Sequence, residues 1–159
     1  GGLETKPRGA AQPASAPRKF ATAAPDVAVG EARRSARTAT DLAALRSALE
    51  TFEGCSLKAT AKSLCFYRGA DTAPLMIIGE APGRDEDIEG RPFVGRAGQL
   101  LDLMLAAGGW SESDVHITNI VYWRPPGNRT PTPQETEVCR PFLERQIELV
   151  GPKVLLLLG

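Results

Sequence analysis

Apolar runs of two kinds alternate along the chain, and that alternation limits its possible folds more than any other feature. Leu75–Ile78 is a short apolar run that stops abruptly in a Gly/Pro-rich turn, the pattern of a buried strand feeding a loop. Beyond the turn, Leu100, Leu101, Met104 and Leu105 fall on one side of a predicted helix that Gly108 closes. The run Asp114–Trp123, rich in β-branched and aromatic residues, reads as a second strand. Thr132 then offers an N-cap, Pro133 a first helical position and Glu135 a capping box. Cys139, Leu143, Ile147 and Val150 form the stripe of that helix, and Pro141 is expected to kink it near Glu137. Val154–Leu158, apolar throughout, predicts a third strand covered on both faces. Strand, helix, strand, helix, strand implies parallel pairing with right-handed crossovers. The predicted fold is therefore α/β, a three-layer sandwich around a central parallel sheet.

Upstream, Leu42, Leu45, Leu49 and Phe52 predict one more helix, capped by Thr40 and ended by Gly54. Residues 1–38 differ in kind: they are rich in Ala and Pro, and residues 1–40 hold seven basic side chains against three acidic. Such a segment buries too little to repay its ordering entropy, so it reads as a flexible basic tail, a solvated linker or a non-specific nucleic-acid contact. The domain proper is expected over 39–159. At 159 residues and 42% hydrophobic the chain suits one domain. No apolar run approaches the roughly 20 residues of a membrane span. Three cysteines without a framework predict a reducing, cytoplasmic setting. One histidine, His116, excludes any mechanism needing several, and its strand position opposite Asn119 marks it as structural. The chain opens on Gly-Gly and stops on Gly159 just after an apolar run, which reads as a trimmed sequence.

In an open parallel sheet, ligands bind outside the carboxyl ends of the strands. The loop after the first strand carries Asp85, Glu86, Asp87 and Glu89 among four glycines. It lacks the spacing of a dinucleotide or Walker loop, so it reads as a solvated acidic turn unless Phe93 changes that. A large ring beside carboxylates at a strand-end crevice suits a flat, uncharged ligand. Asn119, at the end of the second strand, presents an amide that both donates and accepts, matching the edge of a nucleobase or a peptide group. Arg124 and Arg129 sit on the proline-stiffened "RPPGNR" loop, which suits a phosphate backbone.

Three segments in order, "GEAPGRDEDIEGRPFVGRAGQLLDLML", "ITNIVYWRPPGNRTPTPQE" and "CRPFLERQIELVGPKVLLLLG", resemble the uracil-DNA glycosylase superfamily. Within it they are most like family 4 and related bacterial glycosylases. The resemblance covers roughly Phe52 to Gly159 and implies an enzyme of base excision repair that flips uracil out of DNA into the strand-end crevice. It implies that Phe93 stacks on the base, that Asn119 reads its polar edge, and that Glu80, Ala81 and Gly83 shape the pocket. Glu86 would position the water that attacks C1′ of the sugar, with Glu80 its companion carboxylate. Arg124, Asn128 and Arg129 would contact DNA. The partner implied is uracil-containing DNA, met by a monomer away from membranes. A second reading of the same residues is a module that holds uracil-containing or single-stranded DNA without cleaving it.

Two departures qualify the resemblance. Many family 4 members hold a 4Fe–4S cluster on four cysteines, and here those positions read Phe52, Cys55, Trp123 and Cys139. Two thiols cannot replace four, so no cofactor is expected, with Cys55 and Cys139 as vestiges and Cys65 no substitute. The family's second motif, with a His that hydrogen-bonds the departing base, is expected beyond Gly159.

Overall fold

A computed structural model describes residues 24–159, so the first part of the expected basic tail lies outside the described residues. Residues 25–38, expected to belong to the flexible tail, instead form a helix, α1 (Pro25–Thr38). Pro25 supplies the fixed φ of a first helical position. Ala28, Ala32 and Ala36 recur one turn apart and are buried, a stripe small enough for α1 to lie close against the long C-terminal helix. The helix Leu42–Thr51, α2, is capped by Asp41, whose carboxylate accepts from the Ala44 N–H at 2.7 Å, and not by Thr40. It ends at Thr51, with Phe52 rather than the expected Gly54 following its last turn. A single turn, α3, follows at Leu57–Thr60.

Four strands form one sheet: β1 (Arg68–Gly69), β2 (Leu75–Gly79), β3 (Val115–Asn119) and β4 (Val154–Leu157), in the order β1-β3-β2-β4. β2 pairs in parallel with β3 and with β4, as the alternation required. The sheet is nevertheless mixed, since β1 lies antiparallel on the outer side of β3. Two residues long, β1 has no periodicity to betray it. The helix α4 spans Arg84–Glu89 within the acidic segment, α5 spans Arg96–Ala107 and α6 spans Pro133–Val150. The Thr132–Glu135 capping box starts α6, and the helix continues through Pro141 without a break.

Side chains alternate across the sheet, and each set meets its own layer. Met76 and Ile78 share one core cluster with Leu45 and Leu49 of α2 and Val138 and Phe142 of α6. Ile77, Val115 and Ile117 pack on the other face with Leu101 of α5. This is the three-layer α/β arrangement. Among the described residues β4 pairs only with β2 and its side chains are 42–71% exposed, so the expected cover on both faces is not seen there.

His116 is fully buried on the α6 side of β3, opposite Asn119. Its Nδ1 lies 2.8 Å from the Ala70 carbonyl and its Nε2 lies 2.9 Å from the Gln146 amide, whose oxygen accepts from the Tyr122 hydroxyl. That network fixes a neutral ring, donating through Nδ1. Burial lowers its pKa. The histidine is a core residue, as its strand position implied.

Candidate active site at the strand ends

The site begins with a glycine. Gly79 ends β2 in register with Asn119 of β3. A β-carbon on Gly79 would lie 2.3 Å from the Phe93 ring and 2.5 Å from Asn119 Oδ1. The ring and the amide therefore converge over one bare backbone position. Asn119 is 2% exposed, and its Oδ1 is, among the described residues, the single buried side-chain oxygen or nitrogen with no hydrogen-bond partner. Orphaned buried acceptors are costly, and one lining a cleft is an acceptor waiting for a ligand's donor.

The cleft measures about 280 Å³ and is lined by Ala81, Gly83, Asp85, Glu86, Phe93 and Asn119, with Arg96–Gly98 and Asn128 at its borders. That is room for one flat ring. No side chain caps α5, so the positive end of its dipole faces this space.

The loop that carries Phe93 is held tightly. Phe93 has φ +54°, a left-handed conformation that costs a non-glycine residue about 1–2 kcal/mol. Gly98 makes the fold possible there, because a β-carbon at Gly98 would sit 1.8 Å from the Phe93 carbonyl oxygen. Glu86 is the staple. Its Oε1 accepts from Gly83 N–H at 3.0 Å, and its Oε2 accepts from Val94 and Gly95 N–H at 3.1 and 2.7 Å. Asp87, which is buried, accepts from the Lys62 and Ser63 amides. The acidic segment is thus a short helix whose carboxylates tie two loops together, with Asp85 and Glu89 exposed, and not a solvated turn.

Of the residues singled out in the sequence, Ala81, Gly83, Glu86, Phe93, Asn119 and Asn128 line one cleft. Glu80 is exposed and does not line it. Arg124 donates from Nε to Asn128 Oδ1 at 2.7 Å. Arg129 is committed elsewhere: its two terminal nitrogens bind the two oxygens of Glu135 at 2.8 and 2.9 Å. That fork-to-fork pair holds the Glu135 carboxyl below its usual range. Sequence reasoning missed Gly79 and Gly98, whose signal is only the absence of a side chain. It also missed Asp85 as a lining residue.

The four positions where the resemblance implies cluster ligands are all buried. The Phe52 ring meets Phe142 edge-on at 5.0 Å, and Trp123 meets Tyr122 at 6.2 Å. Cys55 and Cys139 are neighbouring thiols. Contact with Cys139 lowers the pKa of Cys55, while that contact and complete burial push Cys139 up. Cys65 is separate, its thiol donating to the Glu86 carbonyl and its pKa raised to about 12, mainly by burial. Two thiols and two aromatic rings do not fit a four-thiolate cluster.

A one-ring cleft beyond the carboxyl ends of parallel strands, with an orphaned amide at its floor, places the chain among α/β proteins that bind ligands at such an edge. Comparison with known proteins narrows this. A family model described as "Uracil DNA glycosylase superfamily" matches residues 66–159, and the chain belongs to that superfamily. It is 49% identical over 105 residues to a type-4 uracil-DNA glycosylase of Archaeoglobus fulgidus, a match covering 66% of this chain and 53% of that protein. It is 44% identical over 119 residues to the Pyrobaculum aerophilum enzyme of the same name, covering 75% and 61%. For the Thermotoga maritima enzyme the figures are 45% over 105 residues, 66% and 55%. The chain thus spans little more than half the length of these curated relatives.

Proposed function

We propose that this chain carries the uracil pocket of a uracil-DNA glycosylase acting in base excision repair. The observation that carries the reading is Asn119: an amide with an unsatisfied buried oxygen, beside an aromatic ring, in a cleft the size of one base. The N3–H of an extruded uracil donates to Oδ1, and its O4 accepts from Nδ2–H. Cytosine presents an acceptor and an amino group at the same two positions, so the amide meets it with the wrong pattern. Phe93 stacks on the ring.

Hydrolysis breaks the bond from C1′ to N1, with its electron pair leaving on uracil, and a water oxygen bonds to C1′. The sugar passes through an oxocarbenium-like state, so the demand is electrostatic. A carboxylate offers about four lone-pair sites; Glu86 has filled three with backbone N–H groups. The remaining site, on Oε1, is where it positions the water and takes its proton, while the carboxylate charge opposes the developing cation. Asp85, exposed and lining the same cleft, adds negative charge. The positive end of α5 favours the departing uracil anion. Glu80 acts from outside the cleft through charge alone, and Arg124 with Asn128 steadies the DNA backbone.

We further propose that the protein works without an iron–sulfur cluster, as a monomer in the cytoplasm of a bacterium. Three free buried cysteines support a reducing compartment. Among the described residues no helix is long and apolar enough to cross a membrane. Iron analysis of protein purified without oxygen is expected to find none at stoichiometric level, and a brown, iron-loaded protein overturns this part.

The test of function is alkaline strand scission of a labelled oligonucleotide carrying one uracil, next to binding of the uncleavable 2′-fluoro-deoxyuridine analogue. Excision by the parent and not by Asn119→Ala is expected. Binding selective for uracil without excision would favour the non-catalytic module. Equal affinity for uracil and cytosine, with no excision, overturns both.

A further inference from the structure

Arg68 lies outside the cleft, yet its guanidinium reaches the loop that shapes it. The side chain is 6% exposed. Nε donates to the Pro92 carbonyl at 3.1 Å, and Nη2 donates to the Phe93 carbonyl at 3.0 Å and to Asp102 of α5 at 2.7 Å. Nη1 donates to Glu112 at 3.3 Å. A buried charge is retained only where it is paired and hydrogen-bonded, and here the pairing is spent on two consecutive backbone carbonyls at the one loop residue that is both left-handed and aromatic.

The two halves of one peptide unit make the consequence concrete. The carbonyl of Phe93 and the N–H of Val94 belong to the same planar group and, in a trans peptide, point in opposite directions. Arg68 holds the first and Glu86 holds the second, at 3.0 and 3.1 Å. A cation and an anion therefore fix the plane that follows Phe93, and with it the direction from which the ring enters the cleft. We propose that Arg68 is a positioning residue for base recognition: by clamping the Pro92 and Phe93 carbonyls it holds the Phe93 ring over Gly79 beside Asn119. The inference rests on Phe93 being the stacking platform. Lysine cannot replace it, since a single ammonium lacks the planar fork that spans two carbonyls.

The test is a cycle between Arg68→Lys and Phe93→Ala, read as the ratio of affinities for 2′-fluoro-deoxyuridine and cytosine in the same oligonucleotide, with melting temperature measured for each protein. In the parent, Arg68→Lys is expected to lower that ratio about tenfold, the scale of one hydrogen bond to Asn119 lost when the ring no longer holds the base in place. In the Phe93→Ala background it is expected to change the ratio less than about twofold. Equal losses in both backgrounds mean a merely structural arginine and overturn the proposal, as does an unchanged ratio in the single variant. If Phe93→Ala by itself leaves the ratio untouched, it is the stacking role that has failed. The clamp is then decided without DNA by fluorine NMR of para-fluorophenylalanine at position 93. One sharp line in the parent and a shifted or broadened line in Arg68→Lys is expected, and identical lines overturn it. Arg68→Gln serves as a second variant should the lysine protein not fold.

Discussion

The most exacting test of the site is the smallest substitution, Gly79→Ala. Gly79 ends a buried strand without a positive φ, so alanine meets no backbone strain there. What it meets is the site itself: Phe93 Cζ at 2.3 Å, Asn119 Oδ1 at 2.5 Å and Phe93 Cε2 at 2.7 Å from the new carbon. Ordinary contact begins at 3.4 Å, so ring and amide must each retreat by about 1 Å, and a misplacement of that size costs on the order of 100-fold in rate. Only one methyl is added, at the end of the strand, and a melting curve separates loss of the site from loss of the fold. The assay is single-turnover uracil excision, with affinities for 2′-fluoro-deoxyuridine and cytosine oligonucleotides and a melting curve alongside. Excision is expected to fall about 100-fold, and uracil selectivity with it, while affinity for the cytosine control holds. A folded Gly79→Ala protein with parental excision and selectivity would refute the assignment of Phe93 and Asn119 as the base-contacting pair.

Three further outcomes follow from the geometry. Arg124→Gln is expected to flatten the slope of log affinity against log salt by about 0.9, the release from one phosphate, whereas Arg129→Gln leaves the slope alone because its fork already holds Glu135; equal effects on titration would show that Arg129 also reaches DNA. Ala32→Leu puts a large side chain between α1 and α6 and is expected to cost about 1–3 kcal/mol, read by urea denaturation; no change would mean that α1 does not pack in solution. His116, its pKa lowered by burial, binds its proton more readily unfolded than folded, so its contribution to stability is complete above about pH 6.5 and is lost as pH falls below that value. Melting temperature measured from pH 8 to 5 is expected to drop at the acid end, and less steeply in His116→Gln.

What the sequence disclosed was whatever repeats locally. The apolar run Leu75–Ile78 and the Thr132–Glu135 box each carry their instruction within a few residues and formed as read, whereas the run read as a strand over Asp114–Trp123 is a strand only at Val115–Asn119. Periodicity also placed His116 and Asn119 on opposite faces. What escaped depends on distance or on absence. The strand β1 exists because Arg68 and Gly69 meet Ile117 and His116, a register that no local pattern encodes. The stripe of α1 consists of alanines, which composition counts as weakly apolar although spaced by fours they make a seam. Glu86 looked like a free carboxylate because its partners Val94 and Gly95 stand eight and nine residues on.

The positions that read as departures from the four-cysteine pattern bear on how the "RPPGNR" loop is held. Trp123 immediately precedes Arg124, and its buried ring, with Tyr122 beside it, roots the start of the "RPPGNR" loop in the core formed by α2 and α6. Phe52, at the end of α2, packs into that same core against Phe142 of α6. At the far end of the loop, Arg129 is locked to Glu135, which in turn caps α6 through the Thr132 N–H at 2.9 Å. Both ends of the loop are therefore fixed by redox-inert contacts, one apolar and one ionic. Burying a ring the size of Phe stabilises by about 1.5–3 kcal/mol. Two such rings supply a tether of several kcal/mol that neither oxygen nor a chelator can remove. Between those anchors, Gly127 and Asn128 adopt positive φ, and that turn carries Asn128 to the border of the cleft where Phe93 and Asn119 meet.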